Sequence, residues 1–299
     1  MHCLLHLESY GKSNKIEFNL KIKTTMYLPE LSSFPSFSLE NLLQTCFGSK
    51  SDNVRQVCIL IDLPDLSLMK DNRFLEDKIK FPVQAKAFKH FYQPLLQGEC
   101  ESLGFENIDL FAFKTTGGSN LDPEDSATDS LGNALSLEQD ICAKYDLILA
   151  ITDYSLTAPL TALAKQYGFR GATLHGVNDI ILNSGLSVDY RVISEQAETF
   201  RLVLDEADSF DLEFELLDST YQLRIDCDRQ TAQKSHGLCP VGKPDVANLP
   251  AGEVYFVPSG ASGSFPFQFS DGTLAEMQVS EGAIRNAVFI KGDPSLVDA

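Results

Sequence analysis

The sequence predicts an α/β N-terminal domain with a mostly parallel sheet, followed by a β-rich (α+β) C-terminal domain that looks incomplete. Three observations carry this reading. Continuous apolar runs, QVCILIDL at 56–63 and YDLILAI at 145–151, have the composition of strands buried on both faces. Amphipathic helical stretches separate such runs, which is the alternation of a parallel sheet. Beyond residue 210 the pattern changes: LEFELLDSTYQLRID alternates apolar and polar residues around an Asp-Ser-Thr turn, as in an antiparallel hairpin with one wet face.

The elements follow in order. Residues 1–25 hold four lysines in an otherwise acidic chain and read as an extension; the α/β domain then covers 26–209 and the β-rich domain 210–299. After the 56–63 strand, QAKAFKHFYQPLLQGECESLG sets Phe88, Phe91, Tyr92, Leu95, Leu96 and Leu103 at helical spacing. Pro94 should kink that helix and Gly104 should stop it. NIDLFAF (107–113) is a second strand. Residues 114–135 are polar, acidic and rich in Gly and Ser, hence a long loop. The 145–151 strand leads to a helix N-capped by Thr157, with Pro159 in its first turn and Gly168 at its end. FRGATLHGV is a fourth strand, and SEQAETFRLVLDEADSF a helix with Ala197, Phe200, Val203, Leu204 and Ala207 inward. GEVYFVP, LAEMQV and NAVFIKG read as strands of the second domain, and no internal repeat is present.

Composition narrows the function. A formal net charge of −18 repels phosphate backbones and anionic lipid, so neither nucleic acid nor membrane is an expected partner. No run approaches the roughly 18–20 apolar residues of a membrane span. Seven scattered cysteines without a CxxC pair fit a reducing compartment, so a cytoplasmic location is expected.

Few residues suggest chemistry. The five histidines form no HExxH, and His90 sits among aromatics as a structural residue. His175, Asp62 and Asp153 fall at the C-terminal ends of strands, where open α/β sheets bind ligands, and are the candidate cleft-lining residues. TTGGSN (115–120) lacks the lysine of a phosphate loop and reads as a flexible loop; Ser155 lies in no GxSxG elbow. His236 and Cys239 make an HxxC pair, but a structural zinc site needs four ligands. In NLPAGEVYFVP (248–258), Pro250 and Gly252 shape a corner directly before Glu253. A carboxylate held at a strand start and pointing into a cleft suits a divalent metal, whereas a surface turn glutamate is the plainer reading.

That motif, with SGSFPF, DGTLAEMQV and GAI after it, resembles the aminopeptidase T family of leucyl aminopeptidases. It is equally similar to the related 2,5-dihydroxypyridine dioxygenases. YDLILAITDYSLTAPLTALAKQYGFRGATLHGV fits that family's N-terminal domain more loosely, and the resemblance spans about residues 55–299. It implies a metal-dependent aminopeptidase acting on N-termini of peptides, with Glu253 as a ligand to zinc, cobalt, manganese or magnesium, and a homodimer. The family's other ligands, a second Glu, a His and a His-x-Asp pair, with an assisting Tyr, lie C-terminal of the motif, and no His follows His236 here. A shortened, inactive chain or a fragment is therefore expected. Two alternatives stay open: an iron-dependent ring-cleaving relative using two His and an Asp, and a non-catalytic binding or interaction domain. The expected partner is a small peptide or small molecule.

Overall fold

The run Gln56–Leu63 is a strand in which every residue after Gln56 is buried. It belongs to a computed structural model that describes residues 33–48, 56–239 and 242–297, and the backbone alone of 7–10 and 17–22. Among these residues the chain passes in order through β1 (Leu7–Tyr10), β2 (Glu17–Ile22), α1 (Leu39–Phe47), β3 (Gln56–Leu63), α2 (Pro82–Ala87), α3 (Gln93–Leu96), β4 (Asn107–Lys114), β5 (Ala127–Thr128) and β6 (Ala134–Leu135). There follow β7 (Leu147–Thr152), α4 (Thr157–Tyr167), β8 (Arg170–His175), α5 (Asp179–Leu182), α6 (Tyr190–Glu206), β9 (Ser209–Leu216) and β10 (Ser219–Asp226). Six further strands are β11 (Gln233–Ser235), β12 (Asp245–Asn248), β13 (Glu253–Tyr255), β14 (Gly260–Gln268), β15 (Leu274–Ser280) and β16 (Ala283–Lys291).

The chain divides into two units. One comprises residues 31–197 and 235–253 and holds a seven-strand mixed sheet in the order β12-β8-β7-β3-β4-β5-β6. The five strands from β12 to β4 run parallel; the two-residue strand β5 is antiparallel to β4, and β6 is antiparallel to β5. Alternate side chains pack two separate cores. Val57, Ile59, Ile61 and Leu63 meet α1, α2 and Phe91 on one face. Cys58, Leu60, Ile148 and Ala150 meet Leu160 and Ala164 of α4 on the other. Helices on both faces of a parallel sheet explain the unbroken apolar runs, since neither side of these strands reaches water.

The helix expected after β3 extends from α2 through a π-helical turn, Phe88–Tyr92, into α3. Pro94 has no N–H to donate and its ring crowds the preceding turn, and the π-helical turn lies just before it. Gly104 adopts φ 78° and closes the short 3-10 turn Glu101–Leu103. Helix α4 starts at Thr157, yet Thr157 is not its N-cap: Leu156 is, without a side-chain capping bond.

The other unit gathers 198–234 and 254–299 with the described strands before residue 31. Its sheet runs β1-β2-β9-β10-β14-β15-β16; β2 and β9 are parallel and the other pairs antiparallel. The expected hairpin is β9–β10, with its turn at Leu217, φ 55°, and Asp218. The sequence reading placed one cut near 210 and an extension at 1–25. The observed division falls inside α6; β12 lies in the parallel sheet, and β1 and β2 lie in the other. A four-residue edge strand such as β12 has too little apolar sequence to announce its sheet. Among the described residues no helix is long and apolar enough to cross a membrane.

Candidate functional site

Chain order reverses between β3 and β7, because β4 lies on one side of β3 and β7 on the other. The crevice beyond the carboxyl ends of such strands is where open α/β sheets place ligands. Asp62, 1% exposed, stands at the end of β3, and Asp153 directly follows β7. Gln84 of α2 is fully buried and joins them: its Nε2 lies 2.9 Å from the Asp62 carbonyl oxygen, 2.9 Å from Asp62 Oδ1 and 3.0 Å from Asp153 Oδ2. The Asp153 backbone N–H donates to Asp62 Oδ1 at 3.0 Å. Burial pushes the Asp62 carboxyl above its ordinary range, with the Asp153 charge acting the same way. Hydrogen bonds from the Asp153 backbone and Gln84 oppose the rise. The group can thus hold a proton to higher pH than an exposed aspartate.

Of the three cleft candidates, Asp62 and Asp153 share one hydrogen-bond network. His175 ends β8 opposite Thr152 of β7, so it occupies the same rim, but its exposed ring makes no hydrogen bond to a described residue. Gln84, which ties the pair together, was missed by sequence reasoning. Its signal was a polar residue beside Val83 and three before Ala87, both buried.

A second cluster lies along the same sheet end. Thr157 Oγ1 contacts Thr173 Oγ1 at 2.7 Å, and both hydroxyls lie 3.3 Å from Asn248 Oδ1. Asn120 Oδ1 accepts from the Ala158 N–H at 3.1 Å, and the Asn120 N–H donates to the Ser155 carbonyl at 2.7 Å. Asn120 therefore serves the first turn of α4 in place of Thr157. The 115–120 loop, expected to be flexible, is anchored to the β7–α4 turn by these bonds.

The Glu253 corner forms as a tight bend. The Leu249 N–H donates to the Thr173 carbonyl at 2.9 Å, and the Gly252 N–H to the Ser235 carbonyl at 2.9 Å. Gly252 has φ 125°, a backbone conformation that favours glycine, and a Cβ there would stand close to Ile193 Cγ2, at 3.0 Å. Glu253 is the first residue of β13; its side chain is exposed and bonds to no described residue. His236 Nδ1 faces Ser194 Oγ at 3.3 Å, while the Cys239 Sγ donates to the Asp245 carbonyl at 3.2 Å. Each member of the HxxC pair thus has its own protein partner. Among the described residues no three His, Cys, Asp or Glu side chains gather as a metal ion requires.

The fold and the rim define a doubly wound α/β unit with a polar crest, accompanied by a β-sheet unit. Comparison with known protein families, with curated proteins and with solved structures finds no match.

Proposed function

We propose that this chain works as part of a divalent-metal aminopeptidase-type hydrolase that removes residues from the N-termini of short peptides, with Glu253 lending one carboxylate to the metal. The observation that carries the reading is the Asn-Leu-Pro-Ala-Gly-Glu-Val corner itself, whose resemblance to the family motif is matched by a backbone fixed by two hydrogen bonds; the Glu253 side chain is exposed as a surface turn residue is, and adds no support of its own. A divalent ion held with the help of Glu253 would supply Lewis-acid polarisation of a scissile carbonyl and an activated water. The described residues do not complete a metal site, because Glu253 has no second and third ligand among them. No catalytic step is therefore assigned to them. The test is calorimetric titration of the longest available form with zinc, cobalt and manganese, with and without Glu253→Gln, beside hydrolysis of an aminoacyl p-nitroanilide. Metal-dependent hydrolysis that weakens with Glu253→Gln is expected; equal metal binding by both forms would overturn the role of Glu253.

One observation favours a second reading, a non-catalytic binding domain. The crest side chains Asp62, Gln84 and Asp153 are committed to one another, as in a scaffold rather than a reacting centre. Absence of metal-dependent hydrolysis in any form of the protein, with retained small-molecule binding, would select it.

A further inference from the structure

In a chain of net charge −18, the crossover from β3 to β4, residues 64–106, holds six Lys and Arg against seven Asp and Glu, but its basic residues are grouped: 78–90 hold four lysines and no acidic residue. Four of its basic side chains, Lys78, Lys86, Lys89 and His90, line one groove of about 490 Å³, whose apolar wall includes Leu75 and Phe88. Among the described residues no carboxylate lines it, and Asp179 reaches only its Lys86 edge. We infer that this groove is a binding site for a small organic phosphate with a flat apolar body, such as an aryl phosphomonoester.

Each part of the groove matches that ligand. Its volume lies within the roughly 300–1,000 Å³ usual for small-molecule sites. Lys78 and Lys89 make no ion pair or hydrogen bond with any described residue, so their ammonium groups are available to an incoming anion. Lys86 is partly buried and paired with Asp179, Nζ to Oδ1 at 2.5 Å, so its charge is largely met within the protein. The two unpaired ammonium groups of Lys78 and Lys89 favour a dianion over a monocarboxylate, because each adds to the Coulomb attraction. His90 is half-buried; burial and the neighbouring Lys89 and Lys86 hold its imidazole below the ordinary histidine range, leaving a neutral ring with one N–H to donate. Phe88 supplies an aromatic wall whose ring is itself packed on Phe74 and Tyr92, at centroid distances of 6.3 and 5.5 Å. The π-helical turn Phe88–Tyr92 carries Phe88, Lys89 and His90, and such turns recur at binding sites because they re-aim side chains. A nucleic acid would meet the repulsion of the rest of the chain, whereas a small anion meets mainly the groove.

The proposal is independent of Glu253 and of any metal. It is tested by calorimetry on the full chain in low-salt, phosphate-free buffer, with phenyl phosphate, inorganic phosphate, benzoate and phenol as probes. Phenyl phosphate should bind about tenfold more tightly than inorganic phosphate or benzoate, phenol should not bind, and the affinity should fall steeply as salt rises. The double variant Lys78→Glu, Lys89→Glu should lose at least about tenfold in affinity, since charges of the wrong sign replace free ammonium groups. Both side chains are exposed, so circular dichroism should show the fold retained. Lys114→Glu, outside the groove, should bind as the parent does. Failure of phenyl phosphate to bind the parent, or equal affinity in the folded double variant, would overturn the proposal.

Discussion

The side-chain nitrogen of Gln84 lies 2.9 Å from Oδ1 of Asp62, so a fully buried amide and a fully buried carboxyl hold each other in place. This bond ties α2 to the end of β3. Gln84→Met keeps the volume but removes the donor, leaving Asp62 and Asp153 each without one partner. It should lower stability by about 1–3 kcal/mol, the usual cost of leaving a buried polar group unsatisfied. An unchanged denaturation midpoint in urea would show that the network is incidental.

The same carboxyl makes stability depend on pH. Asp62 titrates above its unfolded value, so the folded state keeps the proton longer than the unfolded chain does. Its contribution is fully present below the unfolded pKa of about 3.9 and is lost as pH rises through the folded pKa. Asp62→Asn cannot ionise, yet its Oδ1 can still accept from Gln84 and Asp153. The variant should therefore gain on the parent as pH rises from acid to neutral. Parallel midpoints across that range would contradict the shift.

Gly237 tests packing. It has φ 77°, and a Cβ there would fall 2.2 Å from Cδ1 of the fully buried Tyr190 ring. Tyr190 is also fixed by its hydroxyl, which donates to the Gly185 carbonyl at 2.6 Å. Gly237→Ala should therefore cost about 1–3 kcal/mol in thermal or urea unfolding, as overpacking does.

The crest was partly legible in the sequence, for a specific reason. A continuous apolar strand that ends in Asp shows where its end lies, so Asp62 and Asp153 could be placed at a sheet rim from residue types alone. Gln84 could not, because one polar residue in a six-residue helix leaves its direction undetermined. The N-terminus of α4 misled for a related reason. Thr157 has the right residue type and position for a cap, but its hydroxyl is taken by Thr173 and Asn248, which lie far away in sequence. Local propensity cannot anticipate a partner that only the tertiary fold supplies. The placement of Glu253 before a strand was legible; its surroundings were not, since they depend on Ile193 and Ser235.

Thiol chemistry gives a fourth expectation. The six cysteines among the described residues are buried, and burial pushes the thiols of Cys46, Cys100 and Cys142 up to about 12. Since the thiolate is the reactive form, these three should react slowly with a disulfide reagent at pH 8 and fully in denaturant. Rapid native labelling at any of them, located by mass spectrometry, would contradict their burial.

Glu253→Gln should leave stability within about 0.5 kcal/mol of the parent, as exposed side chains without partners do. Any effect of that substitution on metal binding or hydrolysis would then be local rather than a consequence of unfolding. A large fall in the melting temperature would instead give the carboxylate a structural duty.

The edge strand β12 pairs with β8 across a long stretch of chain: Asn248 lies opposite Thr173, 75 residues away. The β9–β10 hairpin is made in that interval. During synthesis the parallel sheet thus emerges from the ribosome with one edge uncovered, and it closes only after the hairpin has been translated. Loop closure over such a separation is slow, and an unpaired edge recruits other chains in the meantime. Nascent chains stalled before residue 245 should therefore aggregate more readily than chains released with β12 in place.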